Sequence, residues 1–141
     1  MTTTLASGYS GTPLAKKLGF KGGFLIHTQN APKNYLELLQ PIPSGVEFAN
    51  RLSSRVDVVH LFASNRSVLA KDLSRLRKLL KQDASIWVSW PKKASKVPTD
   101  ITEDEIRSIA LPLGFVDIKV CSVSDIWSGL KLVVRKSLRT S

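Results

Sequence analysis

One heptapeptide constrains the fold of this chain more than any other segment. Residues 56–62 read VDVVHLF, and apolar side chains occupy both the odd and the even positions. Because successive side chains of a strand point to opposite faces, a strand that is apolar on both is covered on both, as in the middle of a parallel sheet. Residues 86–90, IWVSW, are predicted to form a further strand, closed by Pro91. Strands that alternate with helices predict an α/β domain with helices on both faces of its sheet.

The helical signals fall between these strands. The clearest helix is predicted over residues 66–82, where the leucines lie on a single stripe at Leu69, Leu73, Leu76 and Leu80. A second helix begins at a capping box, in which the Thr102 hydroxyl and the Glu105 carboxylate each satisfy a free backbone N–H. Two shorter helices are predicted over residues 12–19 and 32–39.

The remaining strands complete a recognisable order. Short strands are predicted at residues 24–27 and 46–49, and an antiparallel hairpin at residues 116–120 and 130–135. In the hairpin, Val116, Ile118 and Val120 are predicted to share the buried face. The order β-α-β-β-α-β-α-β-β predicts a three-layer, Rossmann-like sheet that is mostly parallel and ends in an antiparallel pair, as in methyltransferase-like folds. One helix–strand pair is missing between Ala49 and Val56.

Length and composition predict a single domain. The 141 residues, 43% of them hydrophobic, suffice for one core. The small, polar residues 1–11 predict a flexible N-terminal segment, and residues 12–141 form the domain. The N-terminus lacks the pattern of a secretory signal, and no apolar run approaches the ~18 residues that span a bilayer. We therefore expect a cytoplasmic protein.

The scarcity of cysteine and histidine excludes several chemistries. A single cysteine, Cys121, allows no intrachain disulfide and no cysteine-rich metal site. The only histidines are His27 and His60, so no metal site is predicted. His60 lies within an apolar strand and is interpreted as a core histidine with satisfied hydrogen bonds. Cys121 is predicted to lie on the polar side of its strand, with nothing nearby that would make it reactive.

Several motifs along almost the whole chain resemble one known family. They are YSGTPLAKKLG (residues 9–19), VVHLF (58–62), WVSWPKK (87–93), VPTD (97–100) and WSGLKLV (127–133). The chain resembles a family of small bacterial proteins that consist of a domain of unknown function. The resemblance implies a compact, degenerate fold of the S-adenosylmethionine-dependent methyltransferase type. It implies no catalytic residues.

The turn that would hold S-adenosylmethionine lacks its usual residues. Glycines after the first strand let backbone N–H groups approach such a cofactor, and an acidic residue after the second strand binds the ribose. Here residues 27–33 read HTQNAPK, without glycine, and residues 49–51 read ANR, without an acid. No cofactor is therefore predicted. S-adenosylmethionine-dependent methyl transfer is kept as an alternative function.

A basic loop after the fourth strand is the predicted ligand site. Lys92, Lys93 and Lys96 precede Thr99 near a helix N-terminus, at the sheet edge where α/β folds bind ligands. Ammonium and free N–H groups together can hold a phosphate, and His27 and Asn30 are expected across the cleft. The acids from Asp100 onward would repel an anion, so a merely solvated basic turn is the competing interpretation. The leading hypothesis is a non-catalytic binding or regulatory domain for a small anionic, phosphorylated ligand.

The charge distribution offers a further alternative. The chain carries a net charge of +10, and residues 66–96 hold nine basic and two acidic side chains, a local charge of +7. Such a region can contact nucleic-acid phosphates, and Trp87 and Trp90 would offer rings for base stacking. No known nucleic-acid-binding motif accompanies it. A protein that binds nucleic acid through residues 66–96 therefore stays an alternative.

Overall fold

A computed structural model describes residues 11–140 and contains one six-stranded sheet. The strands are β1 (Leu25–Gln29), β2 (Glu47–Phe48), β3 (Val58–Phe62), β4 (Ser85–Pro91), β5 (Phe115–Ser122) and β6 (Trp127–Val134). Their order across the sheet is β2-β1-β3-β4-β6-β5. The first four are parallel, whereas β6 is antiparallel to both β4 and β5. The predicted fold class, with its antiparallel C-terminal hairpin, is confirmed.

Four helices cover the two faces of the sheet. They are α1 (Leu14–Lys17), α2 (Tyr35–Leu39), α3 (Arg66–Leu79) and α4 (Glu103–Ala110). The short helices α1 and α2 pack on one face, against Ile26, Val58 and Trp87. The long helices α3 and α4 pack on the other, against Val59, Leu61 and Val88. Strands β3 and β4 are buried along their whole length, as their apolar sequences predict.

Several boundaries differ from the predicted ones. The helix predicted over residues 32–39 begins only at Tyr35, because Pro32 to Tyr35 form a tight turn in which the Tyr35 N–H donates to the Pro32 carbonyl. The helix predicted over residues 66–82 ends at Leu79, where Leu80 adopts an extended conformation. Between β2 and β3, residues 49–57 form neither helix nor strand, in agreement with the missing helix–strand pair.

The predicted buried face of β5 is wrong. The register with β6 shifts between Asp117 and Lys119, and this irregularity breaks the alternation of side chains. On this strand, which lies at the edge of the sheet, Ile118 is 55% and Val120 50% exposed. Asp117 on the same strand pairs with Arg107 of α4 at 2.9 Å. A bulge cannot be predicted from the alternation of apolar and polar residues, because the extra residue leaves the sequence pattern looking regular.

Two further expectations from the sequence concern the N-terminal segment and the cellular location. The predicted flexible segment, residues 1–11, lies almost entirely outside the described residues. In the described part of the chain, no helix is both long and apolar enough to cross a membrane. A cytoplasmic location stays a prediction.

The core on the α1/α2 face contains a hydrogen-bonded polar chain. His60 is completely buried, and its Nδ1 lies 2.7 Å from the Tyr35 hydroxyl. Its Nε2 lies 2.7 Å from the Ser89 hydroxyl. The interpretation of His60 as a satisfied core histidine therefore holds, and the chain joins α2, β3 and β4. Burial lowers the pKa of His60 to about 3, so that the ring is neutral at ordinary pH.

Burial of a neutral His60 predicts acid-sensitive stability. The ring takes up a proton near pH 6.5 in the unfolded chain but only near pH 3 in the folded one. Unfolding therefore binds a proton in this window, and the free energy of unfolding falls as the pH is lowered from about 6.5 towards 3, by up to about 1.4 kcal/mol per pH unit. Urea denaturation between pH 5 and 6 of the wild type and His60→Gln measures this slope.

We expect the His60→Gln variant to lose about 1 kcal/mol per pH unit of this dependence. Tyr35→Phe is the control: it removes one hydrogen bond but leaves the imidazole buried, so the slope should persist at a lower stability. Equal slopes in the wild type and His60→Gln would contradict the assignment.

Candidate functional site

The topology of the sheet defines one crevice at its carboxyl edge. From β1 the chain proceeds to β2 on one side, and from β2 it crosses to β3 on the other side of β1. The connections that follow β1 and β3 therefore leave in opposite directions. Open α/β sheets bind ligands at such a switch point. A cavity of about 270 Å³ lies there, which we call the switch-point cleft. Its lining consists of Asn30, Phe62, Ala63, Ser64, Asn65, Val68, Asp72 and Trp127.

Asn30 closes the end of β1. Its backbone is left-handed, with φ of 59°, a conformation that asparagine tolerates better than most side chains other than glycine. Its side-chain amide donates to the Phe62 carbonyl at 3.5 Å, so the amide bridges the ends of β1 and β3. One residue earlier, the side-chain oxygen of Gln29 is buried and has no hydrogen-bond partner in the described part of the chain.

Two aromatic side chains form the apolar wall of the cleft. Phe62 meets the half-buried Trp127 edge to face, with ring centroids 5.0 Å apart. On its other side Phe62 stacks on His60 at 4.3 Å. The position of this wall is therefore fixed by the buried polar chain beneath it, and the indole of Trp127 leaves part of its surface open to the cleft.

Helix α3 supplies the polar wall. Its first turn is capped by Asn65, whose side chain accepts from the Val68 N–H at 3.0 Å. One helical turn further on, the Asp72 carboxylate faces the cleft. Its nearest cation, the guanidinium of Arg75, lies 3.7 Å away. The switch-point cleft thus combines aromatic surface with hydrogen-bond acceptors.

The predicted basic loop forms a second cavity, which we call the loop cavity. It measures about 550 Å³ and is lined by Trp90, Lys92, Lys93, Lys96, Thr99 and Glu103, among others. Lys92 donates to the Ser122 hydroxyl at 2.7 Å and so ties the loop to β5. Lys93 and Lys96 are exposed at the rim. The structure therefore brings the three predicted lysines together.

Of the other three predicted residues, Thr99 also lines the loop cavity, whereas Asn30 and His27 do not. The Thr99 hydroxyl donates to the Ser64 carbonyl at 2.7 Å and accepts from the Ile101 N–H at 3.0 Å, so it links the loop to the end of β3. Asn30 lines the switch-point cleft and not the loop cavity. His27 is buried, and its Nδ1 bonds the Ala49 carbonyl at 2.9 Å, beyond the lining of both cavities.

The helix ends near the loop cavity already hold anionic groups. The Asp100 carboxylate accepts from the Arg66 N–H at 2.7 Å at the start of α3. The start of α4 is capped by the Thr102 hydroxyl and followed by Glu103, Asp104 and Glu105. Neither helix N-terminus is therefore open to a phosphate, and an anion in the loop cavity would rely on the lysines alone.

Sequence reasoning missed the partners of His60 and misplaced Cys121. Nothing in the sequence connects Tyr35, His60 and Ser89, which lie on three different elements. Cys121 packs partly against the core on the α1/α2 face instead of pointing to solvent. Burial raises the pKa of its thiol, so the thiolate is disfavoured and the expectation of an unreactive cysteine stands. Within residues 11–140, no three acidic, cysteine or histidine side chains gather into a metal site.

Comparison with solved structures places the fold in a known class. The chain is similar to a protein from Sulfolobus solfataricus described as a type 11 methyltransferase, with a TM-score of 0.64, 14% identity, and coverage of 91% of this chain and 93% of the other. It is also similar to a SAM-dependent methyltransferase from Aquifex aeolicus, with a TM-score of 0.60, 16% identity, and coverage of 86% and 87%.

A third similar structure is magnesium protoporphyrin IX methyltransferase from Synechocystis, solved with bound SAM. The TM-score is 0.54 at 15% identity, and the alignment covers 86% of this chain and 74% of the other. No protein-family model and no curated protein matches the sequence. The class defined by the fold is therefore methyltransferase-like, and these low identities establish the fold alone.

The residues at the switch point do not fit the usual contacts to S-adenosylmethionine. Where a glycine would leave space after β1, Asn30 places its amide across the strand ends. Pro32, two residues later, has no N–H to donate. After β2, the N–H of Ala49 is bonded to Ile26 and its carbonyl to His27, and no acid follows to hold a ribose. We therefore derive no methyl-transfer step from this site.

The left-handed backbone of Asn30 yields a test of the turn. An alanine there would adopt an unfavourable conformation, which costs roughly 1–2 kcal/mol, whereas glycine adopts it freely. We expect Asn30→Ala to lower the free energy of unfolding by about 1 kcal/mol and Asn30→Gly to change it much less. Urea denaturation of the two variants makes the comparison. Equal losses would show that the amide, and not the backbone angle, holds the turn.

Proposed function

We propose that this domain binds a small planar molecule, of the nucleobase or nucleoside class, in the switch-point cleft. The observation that carries the proposal is the coincidence of the cleft with the topological switch point, where α/β folds bind ligands. The methyltransferase-like scaffold supports it, because such scaffolds bind a nucleoside-containing cofactor at this edge. The function is binding, without an assigned reaction.

The lining of the cleft supports this ligand class. The half-buried Trp127 and its neighbour Phe62 offer aromatic surface against which a planar ring packs. Asp72 offers a carboxylate that accepts hydrogen bonds from exocyclic amino or hydroxyl groups. The volume of about 270 Å³ is just below the roughly 300–1,000 Å³ of most ligand sites, so a base fits it better than a whole dinucleotide.

S-adenosylmethionine-dependent methyl transfer is the second candidate function. The similarity of the fold to solved methyltransferases favours it. The glycine-free turn at Asn30 and the residues after β2 disfavour it. The two candidates separate on one point: a methyltransferase must bind the methionine part of the cofactor as well as the base.

Calorimetric titration with adenine, adenosine and S-adenosylmethionine tests both candidates. We expect adenosine to bind, and Trp127→Ala to weaken binding by about fivefold or more, because stacking of one base contributes roughly 1–3 kcal/mol. Ile126→Ala is the control, since Ile126 is the exposed neighbour of Trp127 and does not line the cleft.

The outcomes distinguish the candidates. Tighter binding of S-adenosylmethionine than of adenosine, also lost in Trp127→Ala, would favour the methyltransferase. Adenosine binding without any heat from S-adenosylmethionine would remove it. If neither adenine nor adenosine binds, the proposal for the switch-point cleft is wrong.

A phosphorylated ligand in the loop cavity is a separate candidate, favoured by the convergence of Lys92, Lys93 and Lys96 there. Inorganic pyrophosphate is the probe. We expect it to raise the melting temperature of the wild type, and Lys93→Gln with Lys96→Asn to abolish the shift. Asparagine is chosen at position 96 because Lys96 has a φ of 61°, which asparagine tolerates.

The matched control is Lys71→Gln with Lys78→Gln, which removes the same charge from the exposed face of α3. An equal loss in this control would show a general charge effect. Absence of any shift in the wild type would remove the anion-binding candidate.

A further inference from the structure

Two lysines lie directly opposite each other in the C-terminal hairpin. Lys119 of β5 and Lys131 of β6 are register partners. Because directly opposite residues of an antiparallel pair project to the same face, their ammonium groups share one surface. This is the face that carries α1, since Gly129 and Trp87, which lie in the same row of side chains, pack there. Like charges in this arrangement repel and destabilise the pair.

A third lysine adds to the same positive charge. Burial lowers the pKa of Lys131, and the ammonium groups of Lys119 and Lys21 lower it further. The Nζ of Lys131 lies over the end of α1, 3.7 Å from the position that a Cβ on Gly19 would take. We call Lys21, Lys119 and Lys131 the lysine face.

No carboxylate of the described residues pairs directly with this face. Among residues 11–140, none of its three lysines has an ion-pair partner within 4.0 Å. The acids of the adjoining cavity are Asp57 and Asp83. Asp57 is engaged by Lys81 at 2.5 Å and by the Leu25 N–H at 2.7 Å. The ammonium groups therefore repel one another, and a bound anion would relieve the repulsion.

The shape of the surface indicates an extended anion. Lys119 is exposed, and its neighbours Val116 and Cys121 are only half-buried, so the sheet is open here. The adjoining cavity of about 430 Å³ is lined by Lys21 and Lys131 but also by Asp57 and Asp83, whose carboxylates disfavour a small anion inside it. The positive groups instead spread across two strands and the end of α1. A chain of phosphates can contact such groups one after another.

We propose that the lysine face binds the phosphate backbone of a single-stranded nucleic acid. Ammonium groups contact phosphates and carry no base readout of their own, so the contact is to the backbone and independent of sequence. Its affinity comes from the release of counterions and must fall steeply with salt. The α1-side location differs from the region 66–96 that the sequence predicts for nucleic acid.

The region 66–96 is less suited to this role than its composition indicates. Trp87 is fully buried and Trp90 is 9% exposed, so neither offers a ring to a base. Arg66 pairs with Glu105 and Lys81 with Asp57. Lys71 and Lys78 on the outer surface of α3 remain exposed and serve as the comparison.

The test measures fluorescence anisotropy of a labelled oligonucleotide of about 20 nucleotides as a function of salt. The variants are Lys119→Gln with Lys131→Gln, and the matched control Lys71→Gln with Lys78→Gln. We expect wild type and control to bind with similar slopes of log affinity against log salt. The Lys119/Lys131 variant should bind more weakly, with a slope reduced by about 1.4, because each single-strand phosphate contact contributes about 0.7.

The melting temperature of the variant distinguishes a loss of binding from misfolding. Removal of two repelling charges should leave the melting temperature of the Lys119/Lys131 variant equal to or above that of the wild type, and we expect that outcome. A variant that keeps this stability and loses binding supports the proposal.

Three results would overturn it. They are an unchanged salt slope in the Lys119/Lys131 variant, a larger loss in the Lys71/Lys78 control, and binding to vesicles of phosphatidylglycerol but not to the oligonucleotide. The last would assign the lysine face to a lipid surface.

Discussion

The hydrogen bonds of the buried His60 fix the geometry on which the candidate site depends. A neutral imidazole at the centre of β3 joins the Tyr35 hydroxyl of α2 to the Ser89 hydroxyl of β4, and the three buried groups satisfy one another's hydrogen bonds. Phe62 stacks on the ring two residues further along the strand. The aromatic wall of the switch-point cleft is therefore held by a polar contact in the core, although its own surface is apolar.

The short connections of this chain explain why its crevice is narrow. With no helix or strand between β2 and β3, residues 49–57 must cross over β1 directly, and Ala49 is bonded to both Ile26 and His27 of that strand. After β1, Asn30 adopts the left-handed backbone that a glycine would otherwise provide, but it keeps a side chain and uses it to bridge to β3. The switch point of this methyltransferase-like fold thus encloses a cavity of about 270 Å³.

The sequence predicts those parts of the structure that local patterns determine. The two-sided apolar strands β3 and β4 and the leucine stripe of α3 follow from periodicity, and they suffice for the fold. The exposure of Ile118 and Val120 does not follow, because neither the register shift in β5 nor its place at the edge of the sheet has a sequence signature. The candidate ligand site is likewise only partly predictable from the sequence. The lysines converge because they share one loop, but Thr99 is engaged by a carbonyl 35 residues away in the chain, a contact that only tertiary packing determines.

The positions of the acidic residues determine which surfaces of this chain, with its net charge of +10, remain positive. Six of the eleven acidic residues lie on or beside α3 and α4, namely Asp72, Asp100, Glu103, Asp104, Glu105 and Asp117. Arg66 and Arg107 on those helices are paired with four of them. Within residues 66–96, ion pairs engage Arg66, Arg75 and Lys81 in the folded protein, whereas Lys71, Lys78, Lys93 and Lys96 stay exposed. On the opposite face Lys21, Lys119 and Lys131 form no ion pair within the described residues, and we propose that this face attracts a polyanion.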